Sequence, residues 1–410
     1  MVTRRRVIQG GVLATLASFQ HSGIAMEKDL KARIADVIYE YSDQGNHRTG
    51  TRVDHASADW LVSRIRSLDV EATESSFFFK RIDIEEASFS FAGLVVAGVP
   101  LFDCLYTDAK GVNGSVGEVG SKADIGVAMS LPFASSPSGQ AIHSARLANR
   151  HKAIIVVTDD SLPTDGVAML NAEDFRKPFG PPVLQVASRY WPEMQAAINA
   201  GSSAKVVVHC QYVEANARSI GAVIEGKQPE LPPLVIMTPR SGWWRCASER
   251  GGGIACFIEI MRGIKEEDRN RSVIFTANTG HELGHTGLDQ YLHDNQSLIG
   301  GASIWIHLGA NFAAKTGPGV RLQFSDEAAR QALGPYLKSN LIEAASETSL
   351  GERPLGEARN IHDGGGRYIS ILGQNGLFHH PADVWPEAVN LEDTTRWVNA
   401  FVQLAIELAN

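Results

Sequence analysis

Cysteine is scarce in this chain: Cys104, Cys210, Cys246 and Cys256 are the only four in 410 residues. They form no paired C-x-x-C pattern, which removes a cysteine-built zinc module. No disulfide can be deduced from spacing alone, and Cys246 and Cys256, close in sequence, read as buried thiols. Positive charge is also short. The net charge is −8, and no long basic block occurs outside the extreme N-terminus, so a nucleic-acid partner has little support. The one N-terminal apolar run, 10–19, is too short to span a bilayer as a mature helix. No internal repeat or low-complexity tract stands out. What is present is 44% hydrophobic and 20% charged residues. That balance suits a soluble globular protein with a sizeable core, built as one large domain or two smaller ones.

The N-terminus reads as an address rather than as fold. Thr3-Arg4-Arg5-Arg6-Val7-Ile8-Gln9 precedes the apolar run, and Gly23-Ile24-Ala25 offers a small-residue cleavage site. This is the pattern of a twin-arginine export signal over residues 1–25, implying a periplasmic or secreted mature protein with no membrane segment. Beyond it, 28–41 and 56–68 have helical apolar spacing, and 70–82 alternates like a strand. From 85 to 215 short apolar runs recur between Gly/Ser-rich turns: 94–99, 125–129, 153–158, 183–186 and 205–208. Helix candidates at 140–149 and 191–200 lie among them. This texture predicts a strand-rich inserted domain over 86–215, with the main domain built from 26–85 and 216–410. After residue 217 strand, loop and helix alternate: strands at 217–224, 234–237, 272–277, 302–308 and 367–372, helices at 254–264, 288–292, 326–345 and 391–408. That order is an α/β sheet.

Ionisable residues gather just past those strands: Arg240, Glu249, Glu282, His307 and His379. In an open α/β sheet ligands bind outside the carboxyl ends of the strands. The stretch Phe275-Thr276-Ala277-Asn278-Thr279-Gly280-His281-Glu282-Leu283-Gly284-His285 is the centre of this pattern. Two chemistries compete there. On a helix, His281-Glu282-x-x-His285 would put both imidazoles on one face to bind zinc, with the carboxylate as base. Gly280, Gly284 and Gly287 weaken a helix, so the second reading is a loop at a strand end that carries an acid–base or metal site. Arg240 has two readings as well: a holder of a substrate carboxylate, or one half of a salt bridge to Glu249.

The layout resembles the co-catalytic zinc aminopeptidase and glutamate-carboxypeptidase-like family over nearly all of 28–410. Four segments carry the resemblance: Arg48-Thr49-Gly50-Thr51, Gly180-Pro181-Pro182-Val183, the strand into His281-Glu282-Leu283-Gly284, and Phe378-His379-His380-Pro381-Ala382-Asp383. It implies a three-layer α/β fold, a mixed sheet flanked by helices, with 86–215 as an inserted β-rich protease-associated domain. The family holds two zinc ions about a water that becomes the nucleophile. Its first ligand pair, His-x-Asp, falls on Thr238-Pro239-Arg240 and is missing. Its bridging Asp falls on Glu249, its base on His281, and its later ligands on Glu282, His307 and His379. The resemblance therefore implies one zinc rather than two, held by Glu249, Glu282, His307 and His379, with His281, Glu282 and Arg240 as the catalytic set. The implied activity is hydrolysis of a small peptide or amide. The alternative is a relative that has lost its metals and only binds.

Overall fold

The computed structural model describes residues 28–410; residues 1–25, read above as an export signal, lie outside them. Helix α1 (28–43) is followed by α2 (Arg52–Arg66), which starts where Thr51 caps the Asp54 amide with its side chain. The cap satisfies an amide that has no partner within the helix. Strand β1 (Ala72–Phe91) and strand β8 (Ser203–Ile224) are the two longest elements, and they pair antiparallel along almost their whole length. Between them come β2 (Leu94–Ala97), β3 (Val99–Pro100), β4 (Val112–Glu118), β5 (Ile125–Ser130) and α3 (Pro137–Ala148), then β6 (Ala153–Thr158), β7 (Val183–Val186) and α4 (Trp191–Asn199). After β8 follow β9 (Leu234–Pro239), α5 (Gly251–Glu266), β10 (Val273–Asn278), α6 (Thr286–Asp294), α7 (Gln296–Gly301) and β11 (Ile304–Leu308). The chain closes with β12 (Val320–Phe324), α8 (Glu327–Ser339), β13 (Ser346–Glu347), α9 (Ala358–Asp363), β14 (Tyr368–Gly373) and α10 (Leu391–Ala409).

The main sheet runs β13-β12-β14-β11-β9-β10-β8. Its centre, β14-β11-β9-β10, is parallel. Those strands are buried on both faces: every residue of β9 and β11 is buried, as continuous apolar runs in parallel sheets should be. One face packs on α1, α2, α5, α8 and α10, around Phe257, Ile260 and Phe401. The other packs on α6, α7 and α9, around Trp305, Leu288 and Ile361. The result is the three-layer mixed sheet implied by the resemblance.

Residues 86–215 have hydrophobic clusters of their own, centred on Val127, Ile155 and Val206 and on Ile142, Ile154 and Val183. Hydrogen bonding is nevertheless continuous through β8, which pairs with β10 at one end and with β4 at the other. Positions 86 and 215 therefore fall inside β1 and β8 rather than in linkers. The runs 205–208 and 217–224, read from sequence as two strands, are one. The polar stretch between them hid this, because half-exposed residues of a two-stranded ribbon need no apolar pattern.

Candidate functional site

The carboxyl ends of β9, β10, β11 and β14 bring the predicted residues to one edge of the sheet. The segment 281–285 is not an α-helix. It is a single tight turn at 281–283, flanked by positive φ at Gly280 (85°), Gly284 (69°) and His285 (62°). A Cβ at Gly280 would meet the Thr286 Oγ1 at 2.2 Å, so the turn requires glycine there. His281 and His285 stack with ring centroids 4.7 Å apart. Their Nδ1 atoms go to different partners, Glu357 Oε1 at 3.1 Å and Asn360 Oδ1 at 2.8 Å. The helical zinc reading of this motif is thus corrected by the backbone itself.

Glu282 turns inward. Its Oε1 accepts from the Thr49 amide and hydroxyl, both at 2.7 Å, and its Oε2 accepts from Ser241 Oγ at 2.6 Å. Ser241 Oγ in turn accepts from the Gly280 and His281 amides. Glu282 is wholly buried, and burial raises its pKa against these hydrogen bonds. The carboxylate ties α2's entry loop to the turn after β10. It is spent there and does not join Glu249 and His379 around a shared centre.

Arg240 is also placed differently from expectation. Its Nη1 lies 2.9 Å from Asp54 Oδ1 and donates to the Asp54 carbonyl at 2.8 Å, while Nη2 donates to the Arg218 carbonyl at 2.8 Å. Both partners of the ion pair are sealed from solvent. Arg240 pairs with Asp54, not Glu249, and meets no open cleft.

The arginine beside Glu249 is its neighbour. Arg250 Nη2 stands 2.8 Å from Glu249 Oε1, and Arg250 Nε donates to the Ser241 carbonyl at 2.7 Å. His379 Nε2 approaches the same Oε1 at 3.4 Å. Burial would push the Glu249 carboxyl up, but Arg250 and then His379 pull it down to about 2. Asp383 holds this turn, accepting from the Ser248 amide, the Ser248 hydroxyl and the Glu249 amide at 2.8, 2.7 and 3.0 Å. The glycines that follow let α5 approach: a Cβ at Gly253 would meet Thr238 Oγ1 at 2.7 Å and the Leu308 carbonyl at 3.0 Å. Small residues are what bring Glu249 and Arg250 onto the ends of β9 and β11.

His307 is buried, with Nδ1 2.8 Å from Ser370 Oγ, and burial lowers its pKa to about 3. Gln323 Nε2 already donates to that Ser370 oxygen. The Ser370 hydroxyl is then best used as donor to Nδ1, leaving Nε2–H as a donor rather than a metal-ligating lone pair. His379 Nδ1 lies 2.7 Å from the Met169 carbonyl, which can only accept, so Nδ1 carries a proton. Glu282, His307, Glu249 and His379 thus fail to assemble as one ligand set. Among the described residues no group of three or more His, Cys, Asp or Glu side chains is arranged to hold a metal ion. The residues present do not fit the zinc centre that the resemblance implies.

A cleft of about 670 Å³ lies between the inserted segment and the main sheet. His281, His285 and His307 line its floor, and Phe133 of the insert stacks on Phe378 at 5.1 Å beside it. Two residues outside the predicted set complete the site. Glu357, fully buried, has its pKa raised by burial to about 8. Arg250 is the other. Glu357 sits in a stretch rich in charge, where sequence offers no rank order. Arg250 carried a usable signal, an acid–base dipeptide directly before the helix-opening glycines.

No family model and no curated protein sequence matches the chain. Solved structures do. BSAP, a zinc aminopeptidase from Bacillus subtilis, superposes with a TM-score of 0.75 at 14% identity, covering 94% of this chain and 95% of its own. A peptidase precursor from Shewanella amazonensis gives 0.73 at 15% identity, covering 94% and 96%. An aminopeptidase from Aneurinibacillus gives 0.66 at 14% identity, covering 92% and 93%. The chain has the fold of these proteins.

Proposed function

We propose that the chain is an exported hydrolase of peptide or amide bonds, acting on small substrates in the cleft between insert and main sheet. In this reading His281 is the base and Glu357 its partner. The observation that carries it is the His281–Glu357 contact at 3.1 Å, with the imidazole opening on the cleft and the carboxyl sealed behind it. Burial, then Arg250 and the neighbouring histidines, keeps the His281 pKa well below its ordinary value. The ring is therefore a proton acceptor rather than a standing cation. While Glu357 keeps its proton, it shares it with His281 Nδ1. Once that proton leaves, Nδ1–H donates to the carboxylate and Nε2 is free to take a proton from water. Such a pair titrates as a unit. The aminopeptidases from Bacillus subtilis and Aneurinibacillus that share this fold support the substrate class.

A second reading is favoured by one specific observation: the expected ligand set is broken at Thr238, Arg240 and Glu282. The cleft then binds a peptide or amide without turning it over. A panel of aminoacyl and N-acyl amides separates the two. Turnover by the wild type that His281→Ala abolishes, with binding retained, supports the hydrolase. Binding with no turnover supports the second reading. Export by the twin-arginine route is part of the same proposal. Replacing Arg4 and Arg5 with lysine should strand the precursor in the cytoplasm, and normal export of that variant would refute it.

A further inference from the structure

We infer that His307 is a second catalytic residue of the cleft: its Nε2–H donates to the carbonyl oxygen of the bound amide and stabilises the oxyanion that this oxygen becomes. This role rests on the hydrolase reading above and adds to it the group that receives the negative charge.

Three neighbouring strands carry one row of side chains. His307 of β11 is in register with Ser370 of β14, and Ser370 with Gln323 of β12. All three are sealed from solvent, so their polar atoms depend on partners inside the protein. The row has a direction, and the backbone sets it at the far end. The Leu355 amide donates to Gln323 Oε1 at 2.7 Å. Gln323 Nε2 is thereby the donor side of its amide, and it donates to the Leu355 carbonyl at 3.1 Å and to Ser370 Oγ at 3.0 Å. Ser370 turns its own proton to His307 Nδ1, 2.8 Å away. A neutral ring that accepts at Nδ1 carries its proton on Nε2. Burial, then Arg250, holds the His307 pKa down to about 3, so the ring is neutral near pH 7.

That Nε2 has no partner in the protein. His307 lines the cleft together with His281. Two glycines border this edge of the ring. A Cβ at Gly309 would meet Cε1 at 2.7 Å; one at Gly356, itself part of the cleft lining, would stand 3.1 Å from Cε1 and 3.9 Å from Nε2. A buried donor left unpaired is costly, and a substrate oxygen in the cleft would satisfy it.

His307 and His281 then divide the chemistry. His281 takes a proton from water, and the water oxygen bonds to the carbonyl carbon. The carbonyl π pair moves onto oxygen, where His307 Nε2–H meets it. His307 keeps its proton, because a neutral imidazole polarises a carbonyl without protonating it. As the C–N bond breaks, its pair stays on nitrogen, which takes the proton from His281.

Nitrogen NMR of the wild type carrying isotope-labelled histidine reads the tautomer without any variant. The proton should be on His307 Nε2; a proton on Nδ1 overturns the proposal whether or not the cleft is catalytic. On the amide panel, His307→Asn keeps an acceptor for Ser370 and loses the donor. Its kcat should fall by about 10²–10³, more than its KM rises. His307→Gln places an amide N–H near the position of Nε2 and should recover part of that loss. A folded His307→Asn chain with wild-type kcat overturns the proposal, and equal losses in both variants, the mark of a merely structural role, overturn it too. A wild type that turns over no amide overturns the hydrolase reading instead. The donor is then judged by amide affinity, which His307→Asn must lower; unchanged affinity overturns it.

Discussion

Arg240→Met removes the cation from the buried Asp54–Arg240 pair and keeps most of the side-chain volume. Asp54 would then stand sealed from solvent with only the Gly50 amide at 2.8 Å and the Thr279 hydroxyl at 3.0 Å. Breaking a buried pair by removing one partner costs about 3–5 kcal/mol. The Asp54 and Arg218 carbonyls also lose donors at 2.8 Å, each contributing about 0.5–1.5 kcal/mol. These effects overlap, so a net loss of about 3–5 kcal/mol follows. Urea unfolding measures it, as a lower midpoint at unchanged slope. The double variant Asp54→Asn/Arg240→Met should recover most of the loss, because no unpaired charge remains. A loss below about 1 kcal/mol together with a collapse of ligand affinity would refute the reasoning and return Arg240 to the binding site.

Three further outcomes follow from the same geometry. Glu357 keeps its proton in the folded state up to about pH 8, against an ordinary 4.5, so its stabilising contribution is complete below 4.5 and is lost as pH rises through 8. Turnover should rise over that upper limb as the His281–Glu357 pair gives up its proton. Glu357→Gln should flatten both profiles, read by kcat/KM and by urea midpoints. Glu282→Gln should cost about 1–3 kcal/mol, because its amide would face the Ser241 hydroxyl that now donates to it; thermal unfolding should show the loss, with metal content unchanged. Gly309→Ala would place a Cβ 2.2 Å from Leu372 Cδ2 and 2.7 Å from His307 Cε1. Overpacking of this kind costs about 1–3 kcal/mol, and the displaced His307 should weaken substrate or ligand affinity in the cleft, measured as KM or Kd.

Apolar periodicity and turn chemistry, both local properties, made the architecture legible before any coordinates. The runs that became β5, β6, β7, β9, β10, β11 and β14 are short, continuous and bounded by glycine, proline or polar turns, and α10 carries its stripe openly. The strand-end placement of Glu249, His281, Glu282, His307 and His379 came from the same order of elements. What sequence could not decide was where each side chain points. Glu282 and Glu249 are both carboxylates past a strand or before a helix, yet one is consumed by Thr49 and Ser241 and the other faces Arg250 and His379. Arg240 and Arg250 are ten residues apart in a single loop-to-helix segment. Only the packed structure gives the first to Asp54 and the second to Glu249. Ion-pair choice depends on distances of a few ångströms between groups remote in the chain, and on which of them lose water together. Composition and spacing carry neither quantity. The sequence determined the sheet, its layers and the edge where chemistry gathers. The tertiary structure alone decided which charges at that edge neutralise one another and which remain turned toward the cleft.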